Sequence, residues 1–333
     1  MSKAVALFSG GLDSMLAARL VMDQGVEVIA LHFITPFFGY KNKGREQEAA
    51  DEFFEKYGIR SMVVDVSEDY IAMVRNPKYG YGKNFNPCID CKIFMMQRAK
   101  KVMEEIGADF VVTGEVLGQR PMSQRIDALR IVERDSGLTG YLLRPLSAKL
   151  LKPTLPEENG LVDREKLMDI SGRARRRQME LAESFGISDY QTPAGGCLLT
   201  DPIISKRIEI LLKESENVEV GDVQILGVGR HFTLEGGTLY VGRNKDDNAR
   251  LANLARSGDY TLKAKERPGP LALFRGVPDE DALLLSARIV ARYADADEKD
   301  EVAVGILPVG GQESAVTVLP ADAVGLDALR SKY

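Results

Sequence analysis

The chain has 333 residues, 44% of them hydrophobic and 28% charged, with 44 Lys and Arg against 49 Asp and Glu. At about 150 residues per domain this predicts two folded domains and excludes a miniprotein, a disordered chain or a fibrous repeat. No apolar run approaches the roughly 18 residues needed to cross a bilayer, so a cytoplasmic protein with no membrane partner is expected. The net charge of −5 excludes a uniformly basic nucleic-acid binder.

The predicted elements begin with strands over residues 4–8, 26–32, 61–66 and 109–113, separated by helical stretches. This alternation is the sequence form of an α/β, doubly wound parallel sheet. Between the first two strands, Leu12, Leu16, Ala17, Leu20 and Val21 recur at helical spacing, which predicts one apolar face packed on the sheet, and Gly25 stops that helix. Helices are predicted over 44–57 and 91–106, each followed by a glycine, Gly58 or Gly107, suited to a C-terminal cap. Residues 67–90, with Pro77, Gly80, Gly82 and Pro87, read as a long functional loop. A second composition change comes where Pro193 and Pro202 bracket Gly195, Gly196 and Cys197. The expected domains are 1–203 and 204–333, the second a smaller α+β unit. Its predicted strands cover 223–228, 238–241, 260–264, 271–274, 302–307 and 315–319, with a helix over 283–293.

Ser9-Gly10-Gly11-Leu12-Asp13-Ser14 joins the first strand to the first helix. Glycines there let the backbone turn and offer successive N–H groups to an anion, and the helix start adds partial positive charge. The Walker lysine and the spaced-glycine dinucleotide fingerprint are both absent. SGGLDS resembles the PP-loop signature of ATP pyrophosphatases. That resemblance implies an enzyme that cleaves ATP to AMP and pyrophosphate, with Ser9, Gly10, Gly11 and Ser14 on the phosphates, Asp13 organising Mg2+ or pyrophosphate, and His32 near adenine.

Three cysteines do not make a disulfide framework, so their use is sought in chemistry. Cys88 and Cys91 fall at a helix start, where the macrodipole is expected to lower thiol pKa, and Cys197 lies in a Gly-Gly turn that the fold could bring above the same sheet edge. A 4Fe-4S cluster on Cys88, Cys91 and Cys197 with one iron left free is favoured. A persulfide relay between Cys91 and Cys197, a zinc site completed by His32 or His231, and three unrelated buried cysteines are the alternatives.

Thr113-Gly114-Glu115-Val116-Leu117-Gly118-Gln119 with Ser123-Gln124 is similar to the TGE-x-LGQ…SQ segment of tRNA 4-thiouridine synthases, and Arg144-Pro145-Leu146 to their RPL segment. Asn86-Pro87 with Cys91 resembles the catalytic-cysteine loop of tRNA 2-thiouridylases. The resemblance covers residues 3–203 and counts Gly114 among the nucleotide-binding positions and Asp13, Cys91 and Cys197 as catalytic. The N-terminal RNA-binding domains and rhodanese-like domain of the usual 4-thiouridine synthase have no counterpart, and Cys88 is additional to the 2-thiouridylase loop.

Residues 223–319, with Val241-Gly242-Arg243-Asn244-Lys245-Asp246-Asp247-Asn248 and Pro268-Gly269-Pro270, resemble the RNA-binding domain of the NFACT family. Together the resemblances imply a tRNA uridine sulfurtransferase using ATP, Mg2+ and a sulfur donor such as sulfide or a cysteine desulfurase. Arg173, Arg175, Arg176, Arg177 and Arg243 are the expected RNA contacts. A small-molecule sulfur transferase or ligase, or a non-catalytic RNA-binding protein, is the rival expectation.

Overall fold

The computed structural model describes residues 2–188, 190 and 197–330, so Pro193, Gly195 and Gly196 of the expected turn lie outside the described residues. The chain divides into two compact units, 1–212 and 213–333.

In the first unit the elements run β1 (Lys3–Leu7), α1 (Leu12–Met22), β2 (Glu27–Ile34), α2 (Glu46–Tyr57), β3 (Ser61–Asp65), α3 (Ser67–Arg75), α4 (Cys88–Glu105), β4 (Phe110–Thr113), α5 (Ile126–Asp135), β5 (Leu142–Leu143), α6 (Leu155–Glu158), α7 (Arg176–Ser184) and α8 (Pro202–Glu214). All sheet pairings are parallel, in the order β3-β2-β1-β4-β5. β1 is central, with Leu7 paired to Leu31 on one side and to Thr113 on the other. The chain therefore reverses its winding direction at β1, and the crevice of such a sheet opens where the C-terminal ends of β1 and β4 part.

α1 is buried on two sides. Met15, Ala17, Ala18 and Val21 pack against Ala4, Ala6, Val28 and Ala30 of the sheet. Leu12, Leu16 and Leu20, one turn apart, pack instead against Val116, Leu146, Ile170 and Ala182. The single sheet-facing stripe expected from the spacing is thus two stripes, because a second layer built from residues 146–182 covers the helix. Residues 67–90 are also not one loop. α3 forms over its first part, with Tyr70, Ile71 and Val74 on one buried face and Glu68 and Asp69 in the first turn where the helix dipole favours acids. Cys88 already begins α4, which leaves 76–87 as the loop.

In the second unit, α9 (Val220–Ile225), β6 (Arg230–Leu234), β7 (Gly237–Val241), α10 (Lys245–Leu254), β8 (Tyr260–Ala264), β9 (Leu271–Gly276), α11 (Glu280–Arg292), β10 (Val302–Pro308), β11 (Ser314–Val318) and α12 (Ala323–Leu329) follow in order. The sheet is antiparallel, β11-β10-β8-β9-β7-β6. Ala287, Ile289, Val290 and Ala291 of α11 join Leu239, Leu262, Phe274 and Val304 in its main core. Residues 223–228, expected as a strand, instead span the end of α9. Its apolar residues Val223 and Ile225 are buried by helix packing, and a capping arrangement of Glu219 with Asp222 starts the helix. Short apolar runs do not distinguish strand from helix by pattern alone. Among the described residues no helix is long and apolar enough to cross a membrane.

Candidate nucleotide and thiol site

The loop after β1 closes on itself through its hydroxyls. Ser9 N–H donates to Ser14 Oγ at 3.3 Å, and Ser14 Oγ donates to the Gly11 carbonyl at 2.7 Å. Gly10 has φ +73°, a left-handed conformation that glycine adopts without steric cost. Gly114, at the end of β4, faces this loop so closely that a Cβ on it would stand 2.6 Å from Asp13 C and O and from Ser14 N. The glycine is what allows the β4 end to approach the first turn of α1, and no polar role of its own is needed to explain it.

Asp13, in that first turn, is held from two directions. Gln119 Nε2 donates to Asp13 Oδ2 at 3.0 Å, and Arg175 Nη2 lies 3.4 Å from the same oxygen. The remaining atoms of this group, Asp13 Oδ1, Gln119 Oε1 and Arg175 Nε, are buried without a hydrogen-bond partner. Buried polar atoms are rarely left so, and two acceptor oxygens beside a phosphate-type loop have the chemistry of a Mg2+ site.

The chain brings Gln119 and Arg175 there through a layer of local contacts. Arg144, only 3% exposed, pairs with Glu115 at 3.1 Å, and Lys92 lies 3.6 Å from the other Glu115 oxygen. The segments Thr113–Gln119 and Arg144–Leu146, far apart in the sequence, are thus joined by a buried ion pair. Leu117 N–H donates to Ser147 Oγ, which donates to the Ile170 carbonyl, and Gly172 N–H donates to the Leu117 carbonyl. That ladder lays residues 170–175 beside 117–119.

His32 is in an aromatic stack, its ring 3.7 Å from that of Phe53 and nearly parallel to it, with Phe8 edge-on at 5.3 Å. Burial pulls its imidazole down to about 4, and Nε2 is buried with no partner.

The three thiols gather about Tyr70 of α3. Its hydroxyl donates to Cys91 Sγ at 3.0 Å, and the charges of Cys91, Cys197 and Cys88 all act on it, adding to burial in holding the phenol well above its ordinary value. Cys88 Sγ donates to Asn86 Oδ1 at 3.1 Å. The Cys197 segment is tied to the same loop, since Asn84 Nδ2 donates to the Thr200 carbonyl at 2.7 Å while Thr200 Oγ1 donates to the Cys197 carbonyl at 2.6 Å.

The helix start does not lower the Cys91 thiol as its position in the sequence leads one to expect. Burial raises Cys91 despite the Tyr70 hydrogen bond, and burial together with the neighbouring thiols pushes Cys197 up to about 11. Desolvation of a thiolate outweighs the partial charge of one helix turn. Among the described residues no group of three His, Cys, Asp or Glu side chains could hold a metal ion as they lie. Three sulfurs on one ion must crowd to within about 4 Å of each other, whereas thiolates that bind separate irons of a cluster do not. The donor set is three sulfurs whose thiolate forms would repel one another, facing Arg120, whose charge eases the ionisation of both Cys91 and Cys197. It has the chemistry to take a cationic cluster core, which would relieve that repulsion.

Arg120 follows Gln119 directly. One residue therefore touches Asp13 of the phosphate loop while the next acts on the thiols. Sequence reasoning places Gln119 inside a motif but gives neither it nor Tyr70 nor Arg120 a part in the site.

Of the expected RNA contacts, Arg173, Arg176 and Arg177 are exposed, Arg176 pairing with Glu180 and Arg177 with Asp169. Arg175 alone of that run turns inward. In the second unit Arg243 pairs with Asp247 at 2.7 Å, while Asn244 caps α10 by accepting from Asp247 N–H. Much of the 241–248 motif thus starts a helix. His231 Nε2 lies 2.9 Å from the Val228 carbonyl.

Residues 1–149 match the family model described as Thiamine biosynthesis protein (ThiI), and residues 229–328 match that of the NFACT protein RNA binding domain. A "Probable tRNA sulfurtransferase" of Thermococcus kodakarensis is 33% identical over 172 residues, 51% of this chain and 40% of that protein. A tRNA-specific 2-thiouridylase MnmA of Sulfurimonas denitrificans is 34% identical over 125 residues, 35% of this chain and 36% of its own length. The chain thus spans less than half the length of these relatives. Among solved structures, a 4-thiouridine synthetase–RNA complex with bound ATP is 24% identical at a TM-score of 0.36, covering 68% of this chain and 52% of the other. The U34-tRNA thiolase NcsA of Methanococcus maripaludis with its [4Fe-4S] cluster is 21% identical at 0.34, covering 68% and 70%.

Proposed function

We propose that this chain, a ThiI-type PP-loop domain followed by an NFACT-type RNA-binding domain, is a cytoplasmic ATP-dependent tRNA sulfurtransferase that exchanges a uridine carbonyl oxygen for sulfur, with 4-thiouridine the favoured product. The observation that carries the reading is the Gln119–Arg120 step, which links Asp13 of the phosphate loop to the thiols around Tyr70. A pocket for ATP and a set of sulfur carriers are of use to one reaction only if they adjoin.

Ser9, Gly10, Gly11 and Ser14 cradle the phosphates of ATP at the start of α1, and Asp13 holds Mg2+. Gly114 lets the neighbouring strand close against the loop, and His32 borders the adenine. The uridine oxygen attacks the α-phosphorus, the bond to the β-phosphate breaks, and pyrophosphate leaves as the N3 proton is lost. Oxygen bound to AMP is a far better leaving group than oxide. Hydrosulfide, supplied as free sulfide or released from a desulfurase persulfide by a thiol reductant that ends as a disulfide, then adds to the activated carbon, AMP departs with the oxygen, and the sulfur-borne proton returns to N3. Cys91 and Cys197, with Cys88, receive and orient that sulfur. A 4Fe-4S cluster held by the three cysteines would supply an iron with no protein ligand, suited to holding hydrosulfide. Arg120 draws anionic groups towards the thiols, and Arg173, Arg176, Arg177 and Arg243 meet tRNA phosphates.

The test is to incubate anaerobically purified full chain with ATP, Mg2+, sulfide and unmodified tRNA, then to follow pyrophosphate release and digest the tRNA for mass spectrometry. Pyrophosphate release that needs tRNA, together with a new thiouridine, is expected. Cys197→Ser should abolish the thiouridine. Release that proceeds without tRNA would point to a small-molecule acceptor, and no release with any acceptor would leave an RNA-binding protein.

A further inference from the structure

Arg175 belongs by sequence to the basic run 173–177, yet its side chain is 23% exposed and its guanidinium is turned onto Asp13. Three buried atoms around that carboxylate lack partners: Asp13 Oδ1, Gln119 Oε1 and Arg175 Nε. The first two are acceptors that ask for a cation, and the third is a donor that asks for an anion. A guanidinium fork suits phosphate oxygens, and Gln119 and Arg175 already meet at one oxygen of the same carboxylate. The ligand that satisfies all three atoms at once, at the mouth of a phosphate-type loop, is a metal-bound pyrophosphate group.

We propose that Arg175 is not an RNA contact but the clamp for the pyrophosphate half of ATP, with Gln119 Oε1 joining Asp13 Oδ1 as a ligand-side acceptor for Mg2+. In the nucleotide-free chain Asp13 parks the guanidinium. When Mg2+ takes the carboxylate, Arg175 is released to the β- and γ-phosphates, and after cleavage it holds pyrophosphate away from AMP. The neighbouring arginines differ in this respect. Arg176 and Arg177 are exposed and paired with surface carboxylates, so they are placed for a macromolecule and not for the loop. The inference rests on the reading of the loop as an ATP site.

The experiment measures equilibrium binding of pyrophosphate, ATP and AMP, each with Mg2+, to the full chain by calorimetry, and tRNA binding across a salt series. Arg175→Ala is expected to weaken pyrophosphate and ATP at least ten-fold while leaving AMP within two-fold and tRNA affinity and its salt slope unchanged. Arg175→Lys should recover part of the loss, since a lysine supplies the charge without the fork. Should Arg175→Ala fail to fold, Arg175→Lys and Arg175→Gln carry the same ordering of ligands. Gln119→Ala should raise the Mg2+ concentration for half-maximal pyrophosphate binding about five-fold. Arg176→Ala is expected to do the reverse of Arg175→Ala, weakening tRNA and sparing pyrophosphate. Unchanged pyrophosphate binding in the Arg175 variants, or a loss confined to tRNA, overturns the clamp alone. Failure of the unaltered chain to bind either ATP or pyrophosphate overturns the proposed function along with it.

Discussion

Gly114 has no room for a methyl group. An alanine there would press on the backbone of Asp13 and Ser14 at 2.6 Å, and backbone cannot swing away as a side-chain tip can. Gly114→Ala should therefore cost about 1–3 kcal/mol of stability through overpacking. It should also weaken ATP binding, because the displaced atoms belong to the phosphate loop. Urea unfolding at neutral pH checks the first part, and a wild-type midpoint in the variant would show that the strand and loop can part freely. His32 gives a pH dependence of definite sign. Its folded pKa, about 4, is below the unfolded 6.5, so the unfolded chain takes up the proton first. The contribution is present in full above pH 6.5 and is lost as pH falls from 6.5 towards 4, to a total of about 3 kcal/mol. His32→Phe keeps an aromatic face for Phe53 and cannot titrate, so its stability should fall by less than that of the unaltered chain between pH 7 and 4.5. Equal losses would mean that the imidazole is not the group responsible.

Among the elements, β4 and the segments after it decide the site. The Arg144–Glu115 pair is almost wholly buried and fixes the chain as it leaves β4. Removing Arg144 leaves buried Glu115 with only Lys92, at 3.6 Å, and takes the partner of Glu133 as well, a loss of about 3 kcal/mol for Arg144→Met. The double substitution Arg144→Met with Glu115→Leu should restore most of that stability but not ATP binding, since the orientation of Gln119 depends on this segment. A double variant no more stable than Arg144→Met would show that packing, and not the charge, matters here. α3 and α4 meet through the Tyr70 hydroxyl and Cys91. Their contact explains why Cys91, though at a helix start, is not activated by it: the helix that supplies the dipole also packs against the one that dries this sulfur out.

On the scale of the whole molecule, each unit has its own core, one around β1 and α1 and one around α11 and its antiparallel sheet. Calorimetry of the full chain is expected to show two transitions. On the proposed placement of ATP and Mg2+ in the first unit, nucleotide at about 100 times Kd should stabilise one transition by about 2.7 kcal/mol and leave the other in place. A single transition, or an equal rise in both, would contradict that assignment.

Local chemistry makes some features legible from the residues alone. The Ser9–Ser14 loop, the parallel alternation of the first unit, and the strands 238–241, 260–264 and 302–307 depend on glycine conformation and on side-chain period, which are properties of short stretches. Features that depend on long-range packing are not legible in this way. The double burial of α1, the helix at 67–75 within a glycine- and proline-bearing stretch, and the helix at 220–225 where a strand over 223–228 is expected are all decided by which surface happens to cover an apolar run. The same holds for Arg175 and for Cys91. A guanidinium in a basic run is solvated or buried according to what lies beside it. A thiol at a helix start is ionised or protonated according to how much water remains. Sequence names the groups that can act, and only the closed fold sets their surroundings, because desolvation and charge act through space and not along the chain.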